Sequence, residues 1–196
     1  MKRIRRLAAL LLAPLLLAPL LLASCRSPDP SLYTLAPVRG VPRAGAPALV
    51  ELRRPGIAGY LDRSEIVRAN TPYQLQMHDG ERWGEPFGDM VARVLAEDLN
   101  TRLPGTSVFT STGAITADAG ARVELDLQRF DADASGQVQL LAQVAVTRGG
   151  NRAAAKAQTI RITVTPAGSA TSDYVAALSR ALGEAADQIA ALLRQR

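Results

Sequence analysis

One cysteine, one histidine and one tryptophan occur in 196 residues, and aromatic side chains make up only 4% of the chain. These scarcities exclude a good deal. Without a second cysteine there is no disulfide and no cysteine-based metal site. With His78 as the sole imidazole, any Ser-His-Asp or Cys-His arrangement has to use it. No Gly-x-Ser-x-Gly elbow accompanies it, and beside Asp79-Gly80 a solvent-exposed turn position at a strand end is expected. No glycine-rich loop of the phosphate-cradling kind is present, so nucleotide hydrolysis of the P-loop type is not expected of this chain. Glu97 and Asp98 are adjacent on a helical stretch and point about 100° apart, which rules them out as a working carboxylate pair. Asp131-x-Asp133-x-Ser135-Gly136 imitates the first half of a calcium loop, but its twelfth position is Ala142 instead of a bidentate glutamate. A hairpin turn accounts for the same residues. Metal, cofactor and catalytic residues are therefore all expected to be none, and the chain reads as a non-enzyme.

Long apolar runs are also missing, with one exception. Lys2, Arg3, Arg5 and Arg6 precede Leu7–Leu22, an uncharged stretch interrupted by Pro14 and Pro19. At 16 residues it is short of the roughly 20 that a spanning helix needs. This is the layout of a secretory signal. The run ends in Leu22-Ala23-Ser24-Cys25, which resembles the bacterial lipobox: small residues admit the peptidase, and the cysteine thiol takes a thioether-linked diacylglycerol. The sole thiol of the chain is thereby consumed by lipid. Residues 1–24 are read as a lipoprotein signal peptide and Cys25 as the lipidated first residue of the mature protein. More than one acyl chain anchors stably without crossing the bilayer. Arg26 does not match the aspartate that retains lipoproteins in the inner membrane, which favours the periplasmic face of the outer membrane.

Processing also changes the charge. Four of the 23 basic residues and none of the 18 acidic ones lie in the signal segment, leaving 19 against 18 and a net of +1. The excess of base is a targeting feature. No stretch combines clustered Lys/Arg with aromatics, so nucleic acid is not an expected partner.

The 172 residues from Cys25 onward suit one domain held by Leu, Val, Ile and Ala packing. Residues 25–47 read as lipidated cysteine, Pro-rich tether and edge strand (31–36), followed by a loop, and 48–196 as an α+β domain. Strands are expected over 48–53, 64–69 and 73–78, the last two joined at Asn70-Thr71-Pro72. Pro86 fits a first helical position. From there Phe87, Met90, Val91, Val94, Leu95, Leu99 and Leu103 recur at helical spacing until Pro104-Gly105. Thr106–Thr110 is a further strand. Alternation over 122–130, 138–146 and 160–164, with short turn-rich separators, predicts an antiparallel meander with one buried face. A last helix is expected to start at Ser172 or Asp173. The fold class is α+β: an antiparallel sheet with two helices packed on one face, a single domain behind the signal peptide.

Several short motifs then occur in one order: Tyr33-Thr34-Leu35, Tyr60-Leu61-Asp62-Arg63 with Ile66-Val67, Arg82-Trp83-Gly84-Glu85-Pro86-Phe87, Val94-Leu95-Ala96 and Arg129-Phe130. In this the chain resembles the PqiC/YmbA-like auxiliary lipoproteins of ABC-type transport systems. Gly84 and Phe87 stand where alanine and leucine are common in that family. The resemblance implies a non-catalytic periplasmic subunit that docks an MCE-domain transporter at the outer membrane and supports lipid movement between the two membranes. It implies two partners, the membrane through Cys25 and an MCE-domain subunit, and it is compatible with ring-like self-association. Tyr60, Leu61, Asp62, Arg63, Arg82, Trp83, Glu85 and Pro86 are the candidate site. They either fix the loop–helix geometry, with Trp83 stapling the loop, Arg82 pairing with Glu85, Asp62 capping N–H groups and Arg63 bonding carbonyls, or form the surface that grips the partner. Two other functions stay open: a module holding an acyl chain between sheet and helices, and a general envelope scaffold.

Overall fold

The computed structural model describes residues 29–115, 117–149 and 155–195. The signal segment, Cys25 and Arg26 lie outside the described residues. Ser31–Arg196 forms one compact unit. The stretch 31–47, read from sequence as an edge strand and a loop ahead of the domain, is part of it.

Alternation builds the larger sheet. In β7 (Ala121–Ala132), β8 (Val138–Arg148) and β9 (Lys156–Val164), every second residue is buried: Val123, Leu125 and Leu127, then Leu140, Ala142 and Val144, then Ile160 and Ile162. The three pair antiparallel in chain order, which is the predicted meander. Asp133 closes the first turn, its carboxylate accepting from the backbone N–H groups of Ser135 (2.9 Å) and Gln137 (3.1 Å). Gly136, at φ +81°, supplies the left-handed residue.

The remaining strands make this sheet mixed. β2 (Leu49–Leu52) lies parallel between β7 and β6 (Ser107–Thr110), and β3 (Gly56–Ile57) pairs parallel with β7. Alternation shows which face of a strand is buried but not who its neighbour is, and two- to four-residue strands carry little pairing signal. A second sheet has the order β1-β5-β4, from β1 (Ser31–Tyr33), β4 (Glu65–Thr71) and β5 (Gln74–Trp83). β5 runs on to Trp83, beyond the strand end expected at His78. Register explains the turn-like look of Asp79-Gly80: Val67 pairs with Met77 and Glu65 with Arg82, so the extra residues of β5 bulge, with Gly80 at φ +78°.

Helix α1 (Phe87–Arg102) packs on β6 and on α2 (Thr171–Arg194), and α2 covers β7, β8 and β9. Both lie over the single buried face. Pro86 occupies the cap, with ψ 128°, one position before the first helical residue, and its carbonyl accepts from Asp89 and Met90. α2 begins at Thr171, capped by Ala170, earlier than the expected Ser172 or Asp173. Thr171, the first helical residue, donates its hydroxyl to Glu81 (2.7 Å).

Across both helices runs the chain from Thr34 to Arg43. Leu35 is 2% exposed, with its N–H on the Met90 sulfur. Ala36 N–H donates to Ser179 Oγ (3.1 Å) and Val38 N–H to Asp98 Oδ1 (2.6 Å). Arg102, itself 2% exposed, joins the three segments. Its Nη1 donates to the Val38 carbonyl (2.7 Å), its Nη2 to the Gly183 carbonyl (2.9 Å) and its Nε to Asp187 Oδ1 (2.7 Å). The strap leaves no space for side chains where it crosses. A Cβ on Gly40 would lie 2.4 Å from Arg102 Nε, and one on Gly183 would lie 2.9 Å from Val38 Cβ.

Burial raises the Asp98 carboxyl to about 6, against the opposing Val38 N–H bond and the Arg102 charge. Its Oδ2 is buried without a hydrogen-bond partner.

Gly183→Ala tests the strap. In an unobstructed helix the change stabilises by about 1 kcal/mol, whereas here overpacking against Val38 is expected to cost about 1–3 kcal/mol. Urea unfolding that shows equal or greater stability would mean the strap is not seated as described. A second test is the pH dependence of stability. Because the folded pKa of Asp98 lies above its ordinary value, the folded chain holds an extra proton between about pH 4 and pH 6, and this group's contribution falls as pH rises through that window. Asp98→Asn is therefore expected to flatten the stability curve there, by on the order of 2–3 kcal/mol across the window. Parallel curves for the two proteins would contradict it.

Candidate functional site

The two motif halves, about 20 residues apart in sequence, meet at the base of the β4–β5 hairpin. Trp83 N–H donates to the Ser64 carbonyl (2.8 Å), and Arg82 stands opposite Glu65 in the ladder. Burial then divides each motif. Leu61 is 4% exposed and Trp83 7%, both inside the core. Trp83 stacks on Phe87 with ring centroids 4.9 Å apart, and Phe87 leans on Phe130 of β7 at 5.8 Å. Tyr60 is half-buried; burial and the neighbouring Asp131 carboxylate push its hydroxyl up to about 12. Arg129 Nε holds that same carboxylate at 2.7 Å. Asp62, Arg63, Arg82 and Pro86 are exposed, and Glu85 is partly so.

Three expected pairings differ. Glu85 binds Arg93 on α1 instead of Arg82, because the helix start turns its carboxylate toward the first turns of α1. Arg63 Nη1 reaches the Met77 sulfur (3.1 Å), not a carbonyl, since Met77 of β5 lies beside it. Asp62 faces solvent and caps no N–H among the described residues.

Behind the corner lies a polar group that the sequence did not reveal. The Arg68 guanidinium lies 4.5 Å from the centroid of the Tyr174 ring, and its Nη2 donates to Thr171 Oγ1 (2.8 Å). Tyr174 donates to the Val67 carbonyl (2.9 Å), and burial raises its pKa well above the ordinary tyrosine range. These bonds tie the hairpin to the start of α2. No spacing rule links residues over 100 positions apart, and only Arg129-Phe130 gave a local hint.

His78 Nδ1 lies 3.9 Å from Glu81 Oε2, within β5. Among the described residues no group of three or more His, Cys, Asp or Glu gathers to hold a metal, and no helix is long and apolar enough to cross a membrane. The arrangement places charged groups and a proline at an exposed corner on an aromatic base.

Fold and corner define an α+β domain whose singled-out residues build a braced surface rather than a nucleophile–base pair. The chain belongs to the family described as ABC-type transport auxiliary lipoprotein component, which matches residues 33–190, the same family the ordered motifs resemble. It is thus a transport-associated lipoprotein of the cell envelope that partners transporter subunits. Among solved structures it is similar to an uncharacterized protein, with TM-score 0.70 and 15% identity over 84% of this chain and 99% of that one. It is also similar to a Xanthomonas campestris protein, with TM-score 0.62 and 19% identity over 82% and 92%. At these identities the likeness is one of fold. No curated protein matches the chain.

Substitution separates bracing from contact. Trp83→Ala is expected to lower stability by about 3–5 kcal/mol through the cavity it opens. Arg63→Ala and Arg82→Ala are expected to stay within about 1 kcal/mol of the parent, because both side chains are exposed. Thermal unfolding of the three variants measures this, and an unaffected Trp83→Ala would remove the stapling role.

Proposed function

We propose that this chain is a non-catalytic, lipid-anchored periplasmic subunit of an ABC/MCE-type intermembrane lipid transport system, docking the transporter at the outer membrane. The observation that carries this reading is the convergence of Tyr60–Arg63 and Arg82–Pro86 on one exposed, rigidly backed corner, in a chain whose family is auxiliary to ABC-type transport. Asp62, Arg63, Arg82 and Pro86 are the contact residues in this reading, and Leu61 and Trp83 hold them in place. Arginine beside rigid apolar support is a frequent composition at protein contacts. Lipid on Cys25 fixes the domain to the membrane, and Arg26 after it favours the outer one. The role is geometric: anchor at one side, partner at the other, with lipid passing through or beside the assembly.

The alternative of an acyl chain held between sheet and helices has less support. Leu99, Leu127, Leu178 and Ile189 between the layers are all 0% exposed, leaving no water-sized void beside them.

Affinity purification after crosslinking in native envelopes tests the docking role. An MCE-domain protein is expected with the tagged parent, and its recovery is expected to drop severalfold with Arg63→Glu/Arg82→Glu. Recovery of the chain alone would overturn the docking. Cys25→Ala is expected to abolish incorporation of an alkynyl fatty acid and to leave the precursor uncleaved, as read by gel shift and in-gel fluorescence. Continued labelling would overturn the anchor.

A further inference from the structure

The β4–β5 hairpin carries side chains that the packing of the domain does not use. Every residue from Asn70 to Met77 is exposed. Tyr73, in the two-residue turn, is 98% exposed, and Leu75 and Met77 are each 48% exposed. Grooves of about 650 and 270 Å³ run under the hairpin, Ala69, Thr71 and Leu75 lining one and Arg68, Asn70 and Gln76 the other. Across the first groove the tip faces Tyr60, Arg129 and the β7–β8 turn. A tyrosine and two long apolar side chains held out in this way suit the boundary between lipid headgroups and acyl chains, where an amphipathic ring has both its media.

Charge agrees with that boundary. From Ile66 to His78 the hairpin contains no carboxylate, in a chain that has 18, and its fixed charge is Arg68. Arg63, with its guanidinium on the Met77 sulfur, adds another cation beside the apolar patch. Asp79 and Glu81 follow on β5 toward the base of the hairpin, and Asp131 and Asp133 line the groove under the tip. There Asp131 is held by Arg129, and Asp133 accepts from the turn's own N–H groups.

The direction of β1 points to the occupant. Ser31, Leu32 and Tyr33 pair in parallel with Glu81, Arg82 and Trp83 of β5. Going back along the chain from Ser31 therefore leads the same way as going back along β5, toward the hairpin tip. From Glu81 to Gln74 is a rise of about 23 Å at about 3.3 Å per residue. The six residues from Cys25 to Ser31 reach at most about 20 Å. A lipid on Cys25 is therefore within reach of a bilayer that the tip also touches.

We infer that Tyr73, Leu75 and Met77 form a second membrane contact, entering the headgroup region of the same phospholipid bilayer that holds the lipid of Cys25. The inference rests on the lipid-anchor reading. It gives the domain a fixed orientation, with the hairpin tip in the membrane and the Arg82–Pro86 end of β5 away from it. A single lipid anchor leaves the domain free to tumble, and a second contact removes that freedom.

The test uses the lipidated chain as made by the cell, reconstituted into phosphatidylethanolamine–phosphatidylglycerol vesicles. Cys25 carries lipid, so Tyr73→Cys supplies the one free thiol for an environment-sensitive fluorophore, and Glu184→Cys on the exposed side of α2 gives a matched control. Flotation reports anchoring separately. The expected result is a blue-shifted emission and quenching by nitroxide-labelled lipid at position 73, and neither at position 184. A chain that floats while its position-73 label emits as in water overturns the inference and leaves the anchor standing. A chain that does not float overturns both. Shielding of position 73 only after an MCE-domain protein is added assigns the patch to protein contact and overturns the inference as well.

Discussion

The fold depends on one buried guanidinium. Arg102 ends α1 with its charge inside the protein, where an unpaired cation would cost several kcal/mol. It is tolerated because its donors are met by the carbonyls of Val38, Asp98 and Gly183 and by the Asp187 carboxylate. Those acceptors belong to three separate segments, the N-terminal strap and both helices. Satisfying the arginine therefore sets the distance between the helices and seats the strap across them. Gly40 and Gly183 are the clearance this requires.

The hairpin is held by a second, softer arrangement. Arg68, Thr171, Glu81 and Tyr174 connect it to the start of α2, and Tyr60 and Arg129 share the Asp131 carboxylate at its base. The base is thus rigid while the tip, beyond these bonds, touches little. A rigid corner suits recognition of a protein, where ordered side chains lose less entropy on binding. A projecting tip suits a fluid partner that has no shape to match. In the proposed reading the two ends of one hairpin serve different demands.

Within the motifs, aromatic and aliphatic members went inward and charged members outward. Trp83 and Leu61 brace, while Arg82, Arg63 and Asp62 face solvent. A short motif can thus carry packing and contact at once, and its letters have to be sorted by burial before roles are given to them.

The sequence by itself determined the elements whose periodicity is long enough to read. The stripe from Phe87 to Leu103 meant α1, and the alternations around Leu125, Leu140 and Ile160 meant the meander, because a repeated spacing can satisfy only one backbone geometry. The ordered motifs also identified the family. What tertiary structure alone decided concerns partners far apart in the chain. The parallel pairing of β2 and β6, the burial of Arg102 and Asp98 under the strap, the turning of Glu85 to Arg93 and the tie from Arg68 to Tyr174 all join segments whose separation no local pattern encodes. A charged residue on a helix looks the same from sequence whether it meets water or a strap of backbone. Only the arrival of the other segment, and the desolvation it brings, tells them apart.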